Sequence, residues 1–342
     1  MDVEKSTEYL NYLRVFAAIA VVLLHVFSIP ISLPYQDSYS SVELFYCRCM
    51  KYLMMWCVPV FIMITGVLFL NPDKELSLKK LFGKYIFRFV SVILSFGTMF
   101  CLMELMFEDC VFSFSKIYQA LLNSVTGNSW DHMWYVYMVI GLYMIIPLVK
   151  VFVNNVNDKI LFYALGILFC TSSLLPYLKN FFSFKNHYSM FSIYVFYLLL
   201  GYMIHYKKFQ IKKIYSIIIL LLFVLYVGII QCNGIFDINT VARPLKLGYD
   251  SPVVVVAAFA IFVLCKDLKR CSQVIRFVVP LTFGIYIIHP LFVNCCNRVL
   301  HLTSDKYSLF FSIISVTLIT VAGSILLTAA LRLIPFVRKH VL

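Results

Sequence analysis

Ten long apolar runs dominate this sequence and leave few folds open to it. They fall at about 10–30, 52–71, 85–107, 132–150, 160–178, 190–206, 214–231, 251–266, 277–297 and 308–331. The hydrocarbon core of a bilayer takes about 20 residues of helix to cross. Inside it, every backbone polar group must find a partner within the chain. Runs this long and continuously apolar suit helices, since barrel strands alternate in polarity every residue and are about half as long. The sequence therefore predicts an all-α polytopic membrane protein with about ten spans. The eighth run is short, and the ninth contains Pro280 and Pro290. No hydrophilic domain flanks the runs and no internal repeat is evident, so a single transmembrane domain over 1–342 is expected. The small residues Ala17, Ala18 and Ala20 lie inside the first run rather than after it, which favours a retained first helix over a cleaved signal.

Composition supports this reading. The chain is 62% hydrophobic and 13% charged, whereas soluble domains carry about 25% charged residues. Its net charge of +13 does not mark it for nucleic acid, because the basic residues sit in short gaps between apolar runs. Such gaps face the cytoplasm. With the N-terminus inside, the inner gaps hold most of the lysines and arginines, among them Lys79, Lys80, Lys84 and Arg88, Lys207 to Lys213, and Lys266 to Arg276. Both termini are then cytoplasmic. Eleven cysteines are scattered through the chain without paired Cys-x-x-Cys spacing, so no metal site is expected. Cys47, Cys49, Cys110 and Cys232 fall at or near external loops, and their spacing does not reveal a disulfide.

Within the first run, Arg14 and His25 stand eleven positions apart. At 100° per residue they share one helix face, and at 1.5 Å per residue they are about 16–17 Å apart along the axis. In this topology Arg14 lies near the inner surface and His25 in the outer half. An arginine can grip phosphates bidentately, and a neutral histidine can act as a base. A phosphorylated carrier with a long thin arm, such as coenzyme A, would join the two. The plainer alternatives are an arginine snorkelling to the interface and a histidine that packs between helices. Ionisable groups inside membranes are candidates for function by default. At the outer depth of His25 the same topology places Asp131, His132 and His289, with Asp250 just ahead of the eighth run. Glu104 and Asp109 read as interfacial.

These residues resemble a known family. Arg14 and His25 resemble the Arg-x10-His signature of the acyltransferase-3 family of bacterial membrane proteins. "VPVFIMITGVLF" (58–69) is similar to that family's second helix. His132, Trp134 and Tyr135 in "HMWYVYMVIGLYMIIPLV" (132–149) resemble its His-x-Trp-aromatic segment. "YDSPVVVVAAFAIF" (249–262) and "FGIYIIHPLFV" (283–293) are similar to its late helices. The resemblance spans nearly the whole chain and points to the stand-alone type, without a fused soluble hydrolase-like domain. Relatives often carry an arginine-rich, proline-containing motif after the second helix; here the stretch is "LKKLFGKYIFRF", with Arg88 its one arginine.

The resemblance implies O-acyl transfer, most simply of acetyl, from cytoplasmic acyl-CoA to a hydroxyl of an envelope glycan or lipid-linked sugar. It implies a bacterial cytoplasmic membrane location and no tightly bound cofactor. The expected catalytic residues are His25, His132, His289 and Asp131. Arg14, Arg88, Lys84 and Lys80 are expected at the coenzyme A phosphates, and Trp134, Tyr135 and Asp250 at the sugar. His25 would serve as general base or transient nucleophile. Two other readings stay open: a small-molecule transporter, which calls for repeats and broken helices in matching halves, and a non-catalytic partner in polysaccharide export.

Overall fold

The computed structural model describes residues 7–32, 35–109, 112–179, 192–207, 209, 211–232, 247–268, 270–302 and 307–342. Among these every regular element is helical. In chain order they are α1 (Glu8–Ser28), α2 (Ser41–Leu53), α3 (Cys57–Phe69), α4 (Leu78–Phe107), α5 (Phe114–Val125), α6 (Asp131–Asn155), α7 (Asp158–Leu178), α8 (Ile193–Tyr206), α9 (Lys213–Cys232), α10 (Pro252–Cys265), α11 (Gln273–Val299), α12 (Leu309–Leu331) and α13 (Pro335–His340). Eight helical stretches are long and apolar enough to cross a membrane, with α2 and α3 counted as one; α8 and α10 are apolar but shorter. Several helices start on a side-chain cap. Ser40 and Glu43 form a reciprocal capping box at α2, Asn157 caps α7, and Ser272 caps α11.

The chain divides into two compact units. The first comprises Met1–Asn71 and Val156–Ile325, the second Pro72–Asn155 and Leu326–Leu342. In the first unit α1 is central, packed by α2, α3 and α11. α3 and α8 approach closely. A Cβ at Gly66 would lie 2.0 Å from the Leu198 carbonyl oxygen, and one at Gly201 would lie 2.1 Å from that of Met63. Glycine on each helix thus admits the backbone of the other, the usual device where helices associate without a hydrophobic gain over lipid.

The second unit contains a helix that the apolar runs do not announce. α5 is twelve residues long and carries Lys116, Gln119 and Asn123. It is held by a widened, i→i+5 turn of α4 at Ile93–Gly97. Such turns direct carbonyls toward outside donors. Ser124 of α5 donates its hydroxyl to the Ile93 carbonyl at 2.6 Å, and Ser129 donates to that of Gly97 at 3.3 Å. Gly97 leaves room for Ser124, whose Oγ would lie 2.3 Å from any Cβ there. Similar widened turns occur at Leu81–Ile86, Cys170–Leu174 and Cys295–Val299. Cys47, Cys49 and Cys232 are free thiols; Cys110 lies outside the described residues.

Candidate active site

α1 is one unbroken helix from Glu8 to Ser28, so Arg14 and His25 share a face as their spacing requires. Both are half-buried. The charged end of α1 is fastened to the first turn of α11 and the residues just before it. Glu8 pairs with Arg276 at 3.1 Å and accepts the Cys271 backbone N–H at 2.9 Å, while Tyr12 donates to the Arg270 carbonyl at 2.7 Å. Tyr9 Oη and His205 Nδ1 share a hydrogen bond of 2.7 Å. These contacts hold the end of α1 that carries Arg14.

Further along the same two helices, His25 meets His289. Their ring centroids are 4.9 Å apart and their planes are inclined by 51°. His289 is fully buried, and its orientation follows from the residue after it. Pro290 has no N–H to give the Tyr286 carbonyl one turn back. His289 Nδ1 lies 2.7 Å from that carbonyl oxygen and 3.2 Å from that of Ile285. Carbonyls only accept, so Nδ1 carries the hydrogen, and in the neutral ring Nε2 holds the lone pair. The His-Pro sequence therefore builds a histidine of defined tautomer beside His25.

Asp250 belongs to the same unit. Its side chain is exposed at the lead-in to α10, where its backbone is held: Ser173 donates to the Asp250 carbonyl and Tyr197 to the Tyr249 carbonyl, each at 2.6 Å.

The remaining expected residues belong to the second unit. His132 is buried at the start of α6, edge-on to Phe100 at 5.2 Å. Phe100 stacks on Trp130 at 4.6 Å, and the Trp130 indole donates to Glu104 at 3.2 Å. Glu104, read from sequence as interfacial, thus anchors an aromatic wall beside His132. Asp131 and Trp134 are exposed, and Trp134 contacts Tyr135 edge-on at 6.1 Å. Arg88 donates Nε to the Val341 carbonyl at 3.1 Å, and Arg332 donates to that of Leu342 at 2.7 Å. Lys80 and Lys84 are exposed, with the Lys84 ammonium 5.8 Å from the Tyr85 ring centre.

Sequence reasoning passed over Tyr9, His205, Glu8 and Arg276. Their partners are far away in the chain, and only the acidic start of α1 and the basic residues around the start of α11 hint at them. Compared with known proteins, the chain matches the acyltransferase domain family over residues 7–329. No curated protein and no solved structure matches it. The match covers α1 with Arg14 and His25, the His132 segment and α11 with His289, and on that evidence the chain belongs to the acyltransferase-3 family and is a multi-pass membrane acyltransferase.

Proposed function

We propose that the chain transfers an acyl group, acetyl in the simplest case, from cytoplasmic acyl-CoA to a hydroxyl of an envelope carbohydrate. The single observation behind this reading is the line from Arg14 to His25 on one face of α1, completed by His289 at the far end. Arg14 takes the donor's phosphates, and the pantetheine arm runs beside α1 toward His25. Arg88, Lys84 and Lys80 are proposed as further phosphate partners on their charge alone. His132, Asp131, Trp134, Tyr135 and Asp250 are proposed at the acceptor on their depth and chemistry.

His25 acts as general base and His289 as its positioning residue. The sugar oxygen attacks the thioester carbonyl carbon while its proton passes to His25. The tetrahedral adduct then collapses, the C–S bond breaks, and the departing thiolate takes the proton back from imidazolium. The products are an O-acyl sugar and free coenzyme A. No metal and no resident cofactor enters this scheme.

The test is thiol release from acetyl-CoA by the purified protein in proteoliposomes, with candidate glycans present. His25→Ala is expected to lower kcat by about 10²–10⁴-fold. Arg14→Ala is expected to raise KM for the donor about tenfold to a hundredfold, the range of a lost charge-assisted hydrogen bond. If folded wild type turns over neither acetyl-CoA nor succinyl-CoA, the proposal fails and transport becomes the next assay.

A further inference from the structure

The first unit carries an apolar groove of about 300 Å³ between α7, α8 and α10. Its floor is buried and wholly hydrophobic: Leu165, Phe196, Leu200 and Val255 are each under a tenth exposed. Its rim is open, with Phe162 44% and Val256 38% exposed. Aromatic pairs flank both ends. Phe209 meets Phe162 and Phe259, each at 5.4 Å, at one end; Phe169 meets Phe196 at 5.9 Å at the other.

Just beyond the Phe209 end lies a band of charge. Lys207, directly after α8, pairs with Asp158 at the start of α7 at 2.9 Å; Lys213, at the start of α9, pairs with Asp267 at 2.9 Å. Lys159, Lys212 and Lys266 add to it, so among the described residues the lysines of this band outnumber its two aspartates. Distance along the helices gives the scale. Phe162 is four residues from Asp158, and Phe169 and Phe196 are each eleven from the Asp158–Lys207 pair. The groove thus runs from about 6 Å to about 16–17 Å beyond the charges, close to the half-thickness of a bilayer's hydrocarbon core, about 15 Å.

An apolar groove that opens to lipid gains nothing from staying empty, because its lining forfeits dispersion contacts. Hydrocarbon is the filler at hand, and the charge band selects which hydrocarbon. We propose that this groove seats one acyl chain of an anionic glycerophospholipid, from the leaflet on the lysine side, with its phosphate headgroup at Lys207, Lys212 and Lys213. The site is independent of the acyl-transfer reading: it uses neither histidine nor Arg14.

Gly166 provides a clean test. It lies in the groove wall, and a Cβ there meets nothing within 4 Å, so Gly166→Phe fills the groove without forcing helices apart. Gly141, on α6, is equally open and serves as the control. The protein is reconstituted with a trace of phosphatidylglycerol bearing a mid-chain diazirine, irradiated, and mapped by peptide mass spectrometry. Label is expected on the peptides of Phe169 and Phe196, and is expected to leave them in Gly166→Phe but not in Gly141→Phe. Replacing Lys212 and Lys213 by Gln is expected to reduce that labelling about fivefold per lysine, at about 1 kcal/mol for each charge near the surface. A phosphatidylcholine probe of the same chain is expected to label at the reduced level. Equal labelling by the two headgroups, or label at Phe169 and Phe196 that survives Gly166→Phe in protein monodisperse on size exclusion, overturns the proposal.

Discussion

Proline at 290 does two things that point in opposite directions. It removes one helix hydrogen bond from α11, and it leaves the Tyr286 carbonyl to His289 Nδ1. Pro290→Ala restores the missing N–H as a competitor for that carbonyl. The helix should become more stable while His289 loses its fixed tautomer. The expected outcome is a higher melting temperature, a lower kcat and an unchanged KM for acyl-CoA; a merely structural His289 would leave kcat alone. The Lys207–Asp158 pair gives a prediction of another kind. Its hydrogen bond holds the Lys207 ammonium above the ordinary lysine value of 10.5. A raised folded-state value means that the pair's contribution is complete below 10.5 and is lost as pH rises through the higher folded value. Both partners are partly exposed, so that contribution is under about 1 kcal/mol. Asp158→Asn should therefore lower the melting temperature slightly from neutral pH to about pH 9, and the gap should close above 10.5. A gap that widens with pH would contradict the assignment.

At the scale of elements, glycines separate packing from propensity. Gly66→Ala and Gly201→Ala push a methyl into the facing backbone of α8 or α3, and overpacking of this kind costs about 1–3 kcal/mol. Gly228→Ala on α9 meets open space and should be neutral or stabilising by up to about 1 kcal/mol. Thermal unfolding of the three variants side by side tests the α3–α8 contact directly. Ser124→Ala should cost about 1–3 kcal/mol, since it strips a buried donor from the Ile93 carbonyl. These elements also show what a sequence discloses. The apolar runs announce the long spans because membrane length is written in consecutive residues. The Arg14–His25 axis is legible for the same reason, being local to one helix. α5 escapes a search for long apolar runs because twelve mixed residues are too few to span, although Phe114, Tyr118, Leu122 and Val125 recur at helical spacing; the widened turn of α4 that holds it leaves no such trace. His289 stands between these cases. The His-Pro dipeptide is visible and its tautomer follows locally, but its partner lies 264 positions away, and only the packing of α1 on α11 joins them.

For the molecule as a whole, the membrane orientation decides whether the chemistry makes sense. Arg14 can meet a cytoplasmic donor only if the start of α1 faces the cytoplasm, and the distribution of lysine and arginine is the argument that it does. The same argument predicts that α5 lies outside. Its exposed face carries Phe114, Tyr118, Leu122 and Val125, and twelve residues are too few to span, so α5 is expected to lie in the outer interface. One labelling experiment reads both. Cysteine is introduced at Ser115 in α5 or at Lys80 in the basic segment, and label gained over the parent chain is measured with a membrane-impermeant maleimide. Ser115→Cys should label in intact cells, and Lys80→Cys only after the membrane is opened. If the pattern is reversed, Arg14 faces away from every cytoplasmic thioester, and the axis from Arg14 to His25 would have to run from an external donor inward. Acyl transfer from coenzyme A would then be untenable even though the family membership stands, because the family match shows the class of chemistry, while the proposed side of the donor rests on the lysine and arginine distribution alone.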